Sequence, residues 1–169
     1  TPMLVDALDD GIPLWPPGSP PLRVRFGPED ALRCTAALLR RVAEGGEEVA
    51  ERLGAGEPEP AWRRMRDDLV RLCTAGLLLA GETRPRRGDA VRRFLRRAGG
   101  GAPPGSGPLL RWAAGSYGPD DRDDEGPVAP PPGGAREAAA LIDLLRGRVR
   151  RWARELARAT VGRNPARRG

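Results

Sequence analysis

Three stretches of this chain place an apolar or small residue at alternating steps of three and four, which commits most of it to amphipathic helices. In the first, Leu32, Thr35, Leu39, Val42, Gly46, Val49 and Leu53 form one stripe. That stretch opens at Pro28-Glu29-Asp30, where proline suits the first helical turn and the acids face the positive end of the dipole. Gly45-Gly46 interrupts it, and two glycines cost roughly 2 kcal/mol of helix propensity, so a kink or split is expected there. Gly54-Ala55-Gly56 ends it. The second stretch, 60–80, carries Trp62, Met65, Leu69, Leu72, Gly76 and Leu79, and Gly81 is the natural stop. The third, 135–161, has Leu141, Leu145, Val149, Trp152 and Leu156 on one face. Its other face is basic, with Arg146, Arg148, Arg150, Arg151, Arg154 and Arg158.

Shorter elements fill the gaps. Asp89 is placed to cap a helix whose inner face is Val91, Phe94, Leu95 and Ala98. After a flexible break at 99–108, residues 109–117 read as a short helix around Leu110, Trp112 and Ala113. Upstream, 2–9 reads as a short amphipathic helix, followed by the turn Asp10-Gly11 and an extended piece at 12–15. Prolines 16, 17, 20 and 21 stiffen a linker, and 22–26 alternates apolar and basic residues as a lone strand or an extended arm would. Residues 118–134 combine five acids with a Pro/Gly run, a composition expected to bury nothing and to form a mobile loop. The expected fold is therefore all-α: an antiparallel bundle of about four to five helices with Pro/Gly-rich loops and an irregular N-terminal arm. Its parts are an arm at 1–27, the bundle at 28–162 and a basic tail at 163–169.

Composition narrows the chemistry. The 169 residues suit one domain with a proper core, and the net charge of +6 is carried wholly by arginine, because all 29 basic residues are Arg. GC-rich coding explains an excess of Arg, Ala, Gly and Pro without any ligand. An acidic partner, nucleic acid or nucleotide phosphate, explains it functionally, since guanidinium grips phosphate bidentately. There is no His, so neither a Ser–His nor a Cys–His nucleophile can be assembled from Ser19, Ser106, Ser116, Cys34 or Cys73. The two cysteines are expected as reduced, buried thiols, with no zinc site. No apolar run approaches the ~20 residues needed to cross a bilayer, and no signal-peptide pattern is visible, so the chain is expected in the cytoplasm. It starts Thr1-Pro2-Met3, which reads as an excised domain.

The turn 82–89 holds Arg84, Arg86 and Arg87 just before a helix N-terminus, where guanidinium groups, backbone donors and the dipole together suit a phosphate. The competing reading is a solvated loop whose arginines pair with Glu82 and Asp89. Arg92, Arg93 and Arg96 extend the same basic surface. Asp67-Asp68 is expected to make surface ion pairs with Arg63, Arg64 and Arg71, since neighbours on a helix point about 100° apart and form no ready metal pair. Asp120, Asp121, Asp123 and Asp124 lack the spacing of a calcium loop. Trp62, Trp112, Trp152, Met65 and Phe94 fit core positions, with base stacking by Trp15 or Trp112 as the alternative.

The segment Leu4-Val-Asp-Ala-Leu-Asp-Asp-Gly-Ile-Pro-Leu-Trp15 is similar to the closing helix and strand of a minimal nucleotidyltransferase domain, which ends in a Gly-Ile-x-Leu-aromatic pattern. The long helix after it, Leu77-Leu-Leu-Ala-Gly81, Pro85 and the helix through Phe94 resemble the core hairpin of the HEPN-like or kanamycin-nucleotidyltransferase-like helical domain that follows it. The resemblance covers most of residues 1–98. It implies a non-catalytic module that positions a nucleotide, RNA or protein substrate, docked on an upstream nucleotidyltransferase domain or on a second copy. The Gly-Ser turn and paired Asp of the transferase are absent, so any Mg2+ would belong to the upstream domain and no cofactor is expected in this chain. The HEPN ribonuclease motif pairs an Arg with a later His; Arg163-Asn164 begins such a pattern, but no His follows. A stand-alone Arg-rich nucleic-acid-binding or regulatory bundle and a degenerate HEPN ribonuclease are the alternatives.

Overall fold

The computed structural model describes residues 26–83, 87–97, 102–115 and 127–162. Five helices account for most of them: α1 (Pro28–Gly54), α2 (Pro58–Leu79), α3 (Arg87–Arg97), α4 (Gly107–Ala114) and α5 (Gly134–Gly162). No strand occurs among the described residues, so the fold is an all-α bundle. Of the N-terminal arm expected at 1–27, residues 1–25 lie outside the described residues, as does the tail from 163.

The helix ends follow from local chemistry. Past α1, Gly56 takes φ +76 and donates to Leu53 O at 3.2 Å, while Glu57 N reaches Arg52 O at 2.9 Å. Past α2 the same double closure recurs: Gly81 takes φ +87, Gly81 N bonds Leu78 O and Glu82 N bonds Leu77 O, both at 3.0 Å. Only glycine adopts that left-handed φ cheaply, so both stops were written into the sequence. At the other end of α1, Asp30 Oδ2 accepts from Gly27 N at 3.0 Å, and that bond holds the Asp30 carboxyl below its ordinary range.

α2 is the axis of the bundle: every other helix packs on it. That position explains its composition. Leu69, Val70, Leu72, Cys73, Ala75, Gly76, Leu77 and Leu78 are all buried, which a helix with one wet face would not tolerate. α1 runs antiparallel to it, because Ala31 and Cys34 at the start of α1 cluster with Leu78 at the end of α2. α5 runs antiparallel to α1 but parallel to α2, since Leu156 joins that cluster and Trp152 lies near Gly76. At Gly76 the three helices α2, α3 and α5 meet. A Cβ there would stand 2.7 Å from a Phe94 ring carbon, and Phe94 in turn tilts against Trp152 with ring centroids 6.3 Å apart.

Several expectations change in detail. α1 is continuous through Gly45-Gly46 and not split, because packing on α2 supplies what propensity lacks. Its buried line is Ala31, Cys34, Thr35, Val42, Gly45 and Val49, so the expected stripe holds at Thr35, Val42 and Val49, while Leu32 and Leu39 are half-buried and Gly46 and Leu53 exposed. The loop expected to be mobile and to bury nothing is docked over its described part, 127–133. Val128 is buried, Val128 N donates to Glu59 Oε1 at 3.2 Å, and Ala129 O accepts from Trp112 Nε1 at 3.0 Å. Met65 and Phe94 are core residues as expected, whereas the three tryptophans 62, 112 and 152 are half-buried. Both cysteines are free and buried, and burial pushes the Cys73 thiol far above its usual range.

Candidate functional site

Of the six arginines singled out as phosphate ligands, Arg84 and Arg86 lie outside the described residues. Arg87 opens α3, with its side chain also outside them. The remaining three do not act together. Arg92 and Arg96 are exposed, whereas Arg93 is half-buried and reaches Glu82 Oε2 at 2.8 Å. Arg97 approaches the other oxygen of Glu82 at 3.5 Å and donates to Ala80 O at 3.1 Å. Glu82, only 10% exposed, thus ties α3 back to the end of α2. The arginines that face it, Arg93 and Arg97 of α3, stabilise a corner of the fold; the pairing expected of Arg84, Arg86 and Arg87 with Glu82 and Asp89 lies outside the described residues.

The strongest electrostatic feature of the interior lies elsewhere. Asp68 was expected on the surface; it is 2% exposed. Arg71 Nη1 donates to its Oδ1 at 2.7 Å, and Arg64 Nε stands 3.4 Å from Oδ2. Arg64 also pairs with Glu48 at 3.4 Å and donates across the helix interface to the Arg41 carbonyl. The expected partners were right and the expected exposure was not. α1 lies over this face of α2 at Gly45, which has no side chain, and a Cβ there would overlap both the Arg64 guanidinium and the Asp68 carboxylate. Burial raises the Asp68 pKa, the Arg71 hydrogen bond and the charges of Arg64 and Arg71 oppose that rise, and burial wins. A groove of about 520 Å³ opens beside the cluster. Its walls set Arg52, Arg63 and Arg64 against Glu48, Glu59 and Asp67, so its charges cancel and it calls for no charged ligand.

α5 presents the opposite situation. Its arginines divide by position: Arg146 is paired with Asp143 at 2.7 Å and Arg148 is half-buried, while Arg150, Arg151, Arg154 and Arg158 are exposed. The four exposed guanidinium groups meet no carboxylate among the described residues; Arg154 Nε makes one long bond, 3.4 Å, to the Arg150 carbonyl. Glu155 is the single acid between Gly147 and Val161. Trp152, which shares this segment, points the other way into the contact with Phe94. The sequence had flagged this basic face without choosing it over the 82–89 turn.

No protein-family profile, no curated protein and no solved structure matches the chain. Among the described residues no group of three or more His, Cys, Asp or Glu could hold a metal ion, and no helix is long and apolar enough to cross a membrane.

Proposed function

We propose that this bundle is a nucleic-acid-binding module whose ligand lies on the outer face of α5. The observation that carries the reading is the contrast in how arginines are used. On α2, Arg63, Arg64 and Arg71 are consumed in pairs with Glu59, Asp67 and Asp68; on α5, Arg150, Arg151, Arg154 and Arg158 stand exposed on consecutive turns with no carboxylate partner among the described residues. Four unscreened guanidinium groups on a rigid helix repel one another, and a polyanion relieves that repulsion while releasing its own counterions. The apolar face of α5 (Leu141, Leu145 and Val149) is buried in the core, and its exposed Leu144 and Val161 stand seventeen residues apart, which favours a polyanion over a lipid surface. As a substrate-positioning module of a nucleotidyltransferase-type protein, the bundle would use the same surface.

The test is fluorescence anisotropy with labelled oligonucleotides across a salt series. With four phosphate contacts on duplex DNA, affinity should fall about a hundredfold between roughly 50 and 200 mM salt. Replacing all four arginines by alanine should abolish most of that binding without unfolding the helix, because exposed Arg→Ala costs no helix propensity. Binding that is absent at low salt, or that survives the fourfold replacement, refutes the proposal.

A further inference from the structure

The shape of the α5 face says more about its ligand than its charge does. At 100° per residue, Arg154, Arg158 and Arg151 lie about 40°, 80° and 100° around the helix from Arg150, and the four span about 12 Å of its length. They form a fan rather than a single file. A single strand offers one line of phosphates, about one per 3.4 Å when stacked, and satisfies only one edge of such a fan. A duplex offers two lines on either side of a groove, and the major groove of B-form DNA, about 12 Å wide, accepts the width of an α-helix.

What lies between the arginines supports the same choice. One turn before the fan, at an angle within it, stands Gly147, where nothing lies within 4 Å of the position a Cβ would take. The aromatic residue of this segment, Trp152, is turned inward onto Phe94, so the face carries no stacking platform of the kind that holds unpaired bases. Apart from Glu155 at its edge, the charged groups of this face are guanidiniums, suited to phosphate, and none is the Asn or Gln that reads adenine.

Resting on the nucleic-acid reading above, we infer that α5 grips double-helical DNA by its phosphate backbone, across a groove and with little regard to sequence. The experiment compares labelled 20-base-pair DNA duplexes of two unrelated sequences, the matching RNA duplex, each DNA single strand and phosphatidylserine vesicles. The expected result is at least tenfold tighter binding of duplex than of single-stranded DNA, with the two duplexes within threefold of each other. RNA duplex should bind more weakly than DNA, because its major groove is too narrow for the helix. The salt slope on DNA should be near −4 and should drop by about one for each of Arg150→Ala, Arg151→Ala, Arg154→Ala and Arg158→Ala. Arg33→Ala, which removes an arginine already paired with Asp30, should leave it unchanged. Single strands or vesicles binding more tightly than duplex DNA, or duplexes differing more than tenfold, overturn this inference; single-strand preference alone leaves the broader nucleic-acid reading standing. Absence of binding to every nucleic acid removes both.

Discussion

Adjacent glycines in α1 should respond to the same substitution with opposite signs. At Gly46 an added Cβ meets nothing within 4 Å, and the residue is exposed. Gly46→Ala should therefore stabilise the protein by the helix-propensity difference alone, about 1 kcal/mol. Gly45→Ala carries the same gain, but its methyl enters the space of the Arg64 guanidinium and the Asp68 carboxylate. Arg64 is long and can swing. Asp68 is short, 2% exposed and held by Arg71 at 2.7 Å, so it cannot withdraw without giving up that bond. Overpacking of this kind costs typically ~1–3 kcal/mol, and losing hold of a buried ion pair raises the figure toward ~3–5 kcal/mol. The net for Gly45→Ala is then a loss of about 1–3 kcal/mol, and the two neighbours should differ by about 2–4 kcal/mol. Urea unfolding read by circular dichroism should show the midpoints moving in opposite directions at constant slope, with melting temperatures about 5–15 °C apart. If Gly45→Ala stabilised as much as Gly46→Ala, the close approach of α1 to the Arg64–Asp68 pair would be refuted.

Two further outcomes follow from the interior charges. Asp68 holds its proton more tightly in the folded state than in the unfolded one, so its contribution is intact below its unfolded value near 3.8 and is lost as pH rises through the raised folded value. Asp30 does the reverse, with stability present above 3.8 and lost as pH falls through its lowered folded value. Unfolding midpoints measured from pH 3 upward, a range set by ordinary carboxylate pKa values of roughly 4, should thus decline with rising pH just above that value in the wild type. In Asp68→Asn that decline should vanish; a decline that persists in the variant would assign it to another group. Arg66 is 5% exposed, and neither its Nε nor its Nη2 finds a hydrogen-bond partner among the described residues. Arg66→Met removes an uncompensated buried charge at similar volume, so it should be neutral or stabilising by up to ~4 kcal/mol in thermal unfolding. A loss of more than about 2 kcal/mol would mean that the guanidinium has a counter-charge.

Periodicity and punctuation carried most of the fold. Gly56 and Gly81 were readable as helix stops because a left-handed closure demands glycine whatever surrounds it, and both helices end there. The spacing of Leu69, Leu72 and Gly76 placed α2 in the core, but not its burial on every side, which depends on where four other helices come to rest. The same limit hid the cluster around Asp68. Its arginines were legible at one-turn spacings along α2, whereas its burial is set by Gly45 on another helix, twenty-three positions away in sequence. The α1 stripe held at Thr35, Val42 and Val49 but took Gly46 for Gly45 for a related reason: the two glycines are chemically identical in a pattern, and only the partner helix distinguishes them. For the docked segment at 127–133, composition misled, since beside the buried Val128 it is held by backbone bonds to Glu59 and Trp112 that need no apolar sequence. The basic face of α5 was visible from the start; that it meets no carboxylate among the described residues depends on where their acids lie in the fold.

Because every helix leans on α2, the bundle has no part that can melt while leaving a second part intact around its own core. Amide protons between Met65 and Leu77 should exchange only through global opening, at the rate set by the full stability of the protein. The ends of α3 and α4, each touching the axis over a few turns, should exchange through smaller, independent openings. The turn tied by Glu82 then becomes a latch between these regimes: its release loosens one end of α3, while Phe94 against Trp152 still couples α3 to the helix that carries the basic face.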